Sequence, residues 1–284
     1  MVRKRTGLIR FTEPPKEPEK KKEEENKKSV KAKKSIKPKS KKTSVKEKKK
    51  EEEVYEVKLP IKEPIELPKI DFTNVPCVEP KMPTVTKKNG FCLGNGNSRI
   101  GLNLKELKYF GKLYACNAYY REPFSPEPDL LISVNKSMIE EVKENYTGRF
   151  AYLTHRATSC EKRIVIDGKH YKDCPGWASG PISAMLMCDL EDPDRVFLIG
   201  HDLYSKTGKV NNIYAGTKNY VDQNHVPIPH KNWVHQLSEV FEYNPEVKFY
   251  RVVKELDEVE EWNNIRNIKI ITFEEMWKLL REEI

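Results

Sequence analysis

The chain has 284 residues, 33% of them charged and 37% hydrophobic, with a formal net charge of +9. No stretch nears the roughly 18 apolar residues of a membrane-spanning helix, and the basic N-terminus lacks the apolar core of a secretory signal. A soluble, intracellular protein is therefore expected. The six cysteines, at 77, 92, 116, 160, 174 and 188, form no Cys-x-x-Cys pair. They read as reduced thiols, with neither a zinc site nor a disulfide framework expected.

Charge divides sharply along the chain. Residues 1–53 carry 21 Lys+Arg against 10 Asp+Glu, a surplus of 11, whereas the remainder carries 31 against 33. Runs such as Lys20-Lys21-Lys22-Glu23-Glu24-Glu25 hold too little apolar surface to offset the entropy of ordering, so residues 1–55 read as a disordered tail. A polybasic arm making weak contact with nucleic acid or an anionic surface is the alternative, diluted by the interspersed glutamates. Residues 56–88 alternate apolar positions with Pro60, Pro64, Pro68, Pro76, Pro80 and Pro83, the pattern of an extended strap. The C-terminal part of the chain, 89–284, is long enough for one well-formed core.

Short apolar runs bounded by turn residues predict strands over Gly90–Leu93, Leu113–Cys116, Leu130–Val134, Phe150–Thr154, Arg195–Ile199, Val247–Val253 and Ile268–Thr272. Helical periodicity falls between several of them: Lys136–Tyr146, Gly180–Leu190, His230–Tyr243 and Phe273–Glu283, with Ser179 and Thr272 as N-caps. Strands alternating with helices predict an α/β, Rossmann-like, mainly parallel sheet with flanking helices. Asp167-Gly168 within Arg163–Tyr171 predicts a small inserted hairpin. The segment 200–235, poor in regular pattern, reads as a long lid loop.

Open α/β sheets bind ligands beyond the carboxyl ends of their strands. Polar signals fall at those ends. After the first strand comes Gly94-Asn95-Gly96-Asn97-Ser98, whose glycines allow a tight turn and a close approach of backbone N–H groups to an anion. Asn117 follows the second strand and Asn135 the third, a neutral rim suited to a base, a ribose or phosphate oxygens. Ser179-Gly180 opens a helix whose positive end offers an anion seat. The lid begins Gly200-His201-Asp202-Leu203-Tyr204 and also holds Tyr214, Tyr220, Asp222, His225, His230 and His235, a concentration of groups able to move protons. Paired tyrosines can donate to a leaving phosphate without a metal, and the histidines lack a recognised metal spacing, so no metal site is expected.

Gly94-Asn95-Gly96 with Ser98, Cys116-Asn117, Asn135, Ser179-Gly180 and Gly200 to Tyr204 together resemble the bacterial CMP-sialic acid sialyltransferases built on one Rossmann-like domain. The likeness covers about residues 90–252. It implies that Asn95, Asn117, Asn135 and Ser179 contact a cytidine nucleotide, that Tyr204 and Tyr214 assist the departing phosphate, and that His230 is the general base, with His225 and His235 as neighbouring candidates. No cofactor beyond the nucleotide-sugar donor is implied, and the second substrate is a hydroxyl acceptor. Asn97 stands where that family usually has proline. The same signals, with Asn211-Asn212-Ile213-Tyr214, also resemble a group of tailed-phage proteins of no assigned function. That likeness implies host-cytoplasmic or virion-associated roles, including a non-catalytic binding module. Gly200 to Leu203 further resembles the 6-hydroxymethylpterin diphosphokinase family, in which Asp202 would serve Mg²⁺.

Overall fold

The computed structural model describes residues 87–155, 162–174, 176–205 and 207–282. The tail over 1–55, nearly all of the strap over 56–88, and the cysteines at 77 and 160 lie outside them. Nine strands form one sheet: β1 Asn89–Leu93, β2 Gly111–Cys116, β3 Leu130–Ser133, β4 Phe150–His155, β5 Lys162–Ile166, β6 Lys169–Cys174, β7 Arg195–Ile199, β8 Lys248–Val253 and β9 Ile268–Thr272. Their order is β6-β5-β4-β3-β2-β1-β7-β8-β9, and every pairing is parallel except β4 with β5 and β5 with β6. Helices α1 Leu104–Leu107, α2 Lys136–Asn145, α3 Ser179–Glu191, α4 Lys231–Tyr243 and α5 Phe273–Arg281 flank it.

The sequence places these elements through two periodicities. The central strands β1 and β7 are buried along their whole length, as expected for parallel strands covered on both faces. Alternate side chains feed two cores. Cys92 and Leu198 face the layer that holds Ile182, Met185 and Leu186 of α3 with Val234, Leu237 and Phe241 of α4. Phe91, Leu93, Phe197 and Ile199 face the layer of Leu104 and Leu107 from α1, Met138 and Val142 from α2, and Met276 and Leu280 from α5. Each large side chain buried this way contributes on the order of 1.5–3 kcal/mol of transfer free energy.

Strands Arg195–Ile199 and Ile268–Thr272 coincide with expectation, and the others shift by one to three residues at their ends. Thr272 caps α5 as predicted: its hydroxyl accepts from Glu275 N–H, while the Glu275 carboxylate accepts from Thr272 N–H. Ser179 is not the cap of α3. Ala178 occupies that position and Ser179 is the first helical residue, its hydroxyl turned to Asn117 instead. The predicted hairpin is β5–β6, turning through Asp167 (φ 49°) and Gly168 (φ 80°), the pair of positive φ values that matches strand twist. It extends the edge of the sheet beyond β4 rather than interrupting it.

Strand order reverses between β1 and β7: connections from β1 run outward through β2, β3 and β4, and those from β7 run the other way through β8 and β9. Gly94 and Gly200 stand side by side at that switch, the usual position of a ligand crevice in such sheets. No helix among the described residues is long and apolar enough to cross a membrane.

Candidate functional site at the switch in strand order

The turn after β1 clasps the loop after β7. Gly94 N–H donates to the Ile199 carbonyl and Gly96 N–H to the Gly200 carbonyl, each at 2.8 Å. Asn97 N–H donates to Asn211 Oδ1 and Ser98 N–H to Asp202 Oδ2, both at 2.9 Å, and the Ser98 hydroxyl donates to Asp202 as well. The backbone donors that the sequence offered to an anion are thus largely engaged within the chain. The glycines have a matching explanation. A Cβ on Gly94 would lie 2.4 Å from the Gly200 oxygen, and one on Gly96 would lie 2.3 Å from the Asp202 carboxyl carbon.

Hydrogen bonds converge on the other side of the turn. Asn117, held at φ 56° in the left-handed region that asparagine tolerates, accepts from the Ser133 hydroxyl at 3.1 Å and the Ser179 hydroxyl at 3.0 Å through Oδ1. This ties the ends of β2 and β3 to the start of α3. Asn95 Nδ2 donates to the Tyr220 hydroxyl at 3.2 Å, and Ala118 N–H donates to the same oxygen at 3.3 Å. With its acceptor positions filled from two sides, the Tyr220 hydroxyl is oriented to donate its own proton. Asn95 Oδ1 is buried and has no hydrogen-bond partner among the described residues. Asn135 stands apart, exposed at the start of α2, with no capping hydrogen bond from its side chain.

The lid residues separate into different environments. Tyr204 and His230 pack ring against ring, with centroids 4.0 Å apart. A cleft of about 510 Å³ opens beside Tyr204, lined also by Ser98, Asp202, Lys209, Asn211 and Arg251. His225 is exposed, and His235 lies on α4, 3.5 Å from Glu239. Neither joins the Tyr204–His230 pair. Tyr214 is 7% exposed, and its hydroxyl donates to Glu122 while accepting from Arg99 at 3.0 Å. Burial pushes the Tyr214 phenol far above its ordinary range. For Glu122, burial alone would raise the carboxyl; hydrogen bonds from Arg99 and Tyr214 outweigh it and hold the group below the usual carboxylate range. Tyr214 therefore braces the lid against Arg99, whose Nε also holds the Gly94 carbonyl at 2.8 Å.

Tyr214→Phe is accordingly expected to act through stability, removing two charge-assisted hydrogen bonds, to Glu122 and from Arg99, at roughly 1.5–3 kcal/mol each. Denaturant midpoints of the variant check this, with ligand affinity retained at temperatures where it stays folded; loss of binding in a fully stable variant would place the hydroxyl on the ligand instead.

His201 is buried between the two glycine-containing segments. A Cβ on Gly94 would meet its Cδ2 at 3.1 Å, and one on Gly180 would meet its Cε1 at 2.9 Å. Burial depresses the imidazole pKa to about 4; Asp202 opposes the shift and Arg251 reinforces it. The Nε2 atom is buried without a hydrogen-bond partner among the described residues. Arg251 anchors the loop from below, donating to the carbonyls of His201 at 2.8 Å and Asp202 at 3.0 Å, and pairing in two-pronged fashion with Asp257.

No protein-family model, curated protein or solved structure matches this chain. The site must therefore be judged on its own geometry.

On that geometry, Asn95, Asn117, Ser179 and Gly180 gather at one end of the sheet, with Ser98 and Asp202 on the adjoining wall. Two residues gain their parts only from the fold. Tyr220 stood among the proton-carrying lid residues without a role, and only the return of the lid onto the β1 and β2 turns brings it to Asn95. Arg251, on β8, was not singled out in the sequence, because nothing local signals its anchoring function.

Proposed function

We propose that this chain is a glycosyltransferase that uses a nucleotide-sugar donor, of the CMP-sugar type, and passes the sugar to a hydroxyl acceptor. The observation that carries this reading is the unpartnered, buried Asn95 Oδ1 at the switch in strand order, next to the Asn117–Ser179 and Asn95–Tyr220 links. A buried acceptor without a partner is destabilising by about 1–3 kcal/mol unless a ligand donor completes it, and a nucleotide base or ribose supplies such donors. Asn117 and Ser179 hold the nucleotide's polar edge, and the Tyr204 and Tyr220 hydroxyls donate toward the departing phosphate. His230, packed at a tilt against Tyr204, which lines the 510 Å³ cleft, takes the acceptor's proton.

Thermal melting of the full chain with CMP, CMP-sialic acid, UDP, GDP, ADP or ATP, each with and without Mg²⁺, tests the reading, because a ligand bound only by the native state raises the melting temperature. Cytidine nucleotides are expected to stabilise the protein without Mg²⁺, and Asn95→Ala to abolish the shift. Donor turnover is expected to fall about 100-fold or more in Tyr204→Phe and His230→Ala. Stabilisation by ATP only with Mg²⁺ would favour a diphosphokinase-like activity. No response to any nucleotide would leave a non-catalytic binding module.

A further inference from the structure

Gly94 and Gly180, which the sequence offered as room for a phosphate, make room for a histidine. The imidazole of His201 fits where Cβ atoms on those two residues would lie, so its edge rests against the first turn of α3. The residue is 8% exposed. Its Nε2 is buried and unpartnered among the described residues. A buried polar atom in a native fold is ordinarily satisfied, so an orphan at this position points to something that binds there.

The neighbouring helix end decides what. Within the first turn of α3, Ser179 and Gly180 carry N–H groups at the positive end of a 13-residue helix, and Pro181 carries none. Such an end attracts a phosphoryl oxygen. Nε2 lies 3.9 Å from where a Cβ on Gly180 would stand; a bare lone pair there would repel that oxygen, whereas a protonated Nε2 would donate to it.

We infer that His201 is a ligand-contacting residue: its Nε2 takes up a proton and donates it in a hydrogen bond to a phosphoryl oxygen held at the first turn of α3, so that phosphate and proton bind together. This deepens the nucleotide reading above by assigning the contact made to the donor's phosphate. In the free protein the ring is neutral at pH 7. Desolvation disfavours the cation, and Arg251, packed beneath the loop on β8, adds to this; Asp202 is the only acidic group among those that shift it. A phosphoryl anion brings the missing counter-charge, raises the pKa of the ring and draws the proton in. The linkage has a definite sign. Because the free form binds the proton weakly and the complex binds it tightly, affinity strengthens as pH falls toward neutrality and weakens as pH rises through the pKa of the complex.

Isothermal titration of the full chain with CMP at pH 7, in buffers of different ionisation enthalpy, is expected to show uptake of about one proton per nucleotide bound. Over pH 6 to 8, the Kd for CMP is expected to rise up to about tenfold per pH unit more steeply in the native chain than in His201→Gln. The difference between the two chains removes the titration of the phosphate itself, whose second pKa is about 6. Cytidine, which lacks the phosphate, should bind without proton uptake. The buffer comparison needs only the native chain, so the test stands even if His201→Gln folds poorly.

CMP binding with no proton uptake, or with the same pH slope in both chains, would overturn the role of His201 while leaving the donor reading intact. Proton uptake on binding cytidine would overturn it too, by placing the contact on the nucleoside. If CMP fails to bind but ADP or inorganic phosphate binds with His201-dependent uptake, His201 keeps its role and the cytidine reading falls. If none of these probes binds, both fall.

Discussion

Arg251→Met is expected to destabilise the protein by about 3–5 kcal/mol, because it removes one partner from a buried charge network while leaving the other in place. Arg251 is 1% exposed, so its guanidinium has no water to replace its protein partners. It holds the His201 carbonyl at 2.8 Å, the Asp202 carbonyl at 3.0 Å and the Asp257 carboxylate at 2.6 and 2.9 Å. Methionine fills much of the same volume but donates nothing, so two carbonyls and a carboxylate lose their donor together. For a folded region of this size, each kcal/mol lowers the melting temperature by roughly 2–4 °C, giving a fall of about 6 °C or more that calorimetry reads directly. Ligand affinity should fall as well, since the same guanidinium sets the backbone from which His201 and Asp202 project. A variant that melts within about 2 °C of the native chain would mean that the loop after β7 is held by its clasp to the β1 turn alone.

Gly94→Ala is the second large effect, and it separates rigid from yielding neighbours. Its Cβ would lie 2.4 Å from the Gly200 oxygen and 2.9 Å from the Gly200 carbon, and both atoms belong to backbone. That backbone is fixed from two directions, by the Gly94-to-Ile199 and Gly96-to-Gly200 hydrogen bonds and by the central place of β1 between β2 and β7. Relief requires separating two fully buried strands, so a loss of about 3 kcal/mol is expected, with nucleotide binding lost even where the chain still folds. Gly96→Ala is the informative contrast. Its new Cβ meets the Asp202 side chain, which can rotate away by giving up its bonds to Ser98. Equal melting temperatures for the two variants would contradict this distinction between backbone and side-chain neighbours.

Much of the fold was written in local pattern. β1, β7 and the other parallel strands are short apolar runs because both faces are covered, and such runs stand out against their turn residues whatever the rest of the chain does. Thr272, and Asp167 with Gly168, are signals confined to a few residues, so cap and hairpin turn are read without knowing the fold. Ser179 shows the boundary of that method. A serine before a helix is a good cap in isolation, but Asn117, 62 residues earlier in the chain, offers its hydroxyl an acceptor, and the cap passes to Ala178.

The candidate site was legible as a set of positions but not as a set of contacts. Asn95, Asn117, Ser179 and Gly180 lie at strand ends and a helix start, and a parallel sheet brings such ends together by its topology alone. What each group does depends on neighbours that are remote in sequence. Tyr204 and Tyr214 look equivalent along the chain, yet the first lines a cleft and packs against His230, and the second is locked between Arg99 and Glu122.

By itself, then, the sequence determined where strands and helices form, that the sheet is mainly parallel, and which end of it is polar, because these depend on periodicity and turn chemistry within a few residues. Only the tertiary structure decided that the glycines of the β1 turn and of α3 clear space for Gly200, His201 and Asp202, that the turn's N–H groups are engaged by the loop after β7, and that His201 Nε2 and Asn95 Oδ1 are left without partners. The physical reason is that steric clearance, burial and hydrogen-bond satisfaction are properties of atoms brought together across a hundred or so residues, and no local pattern encodes which of them will meet.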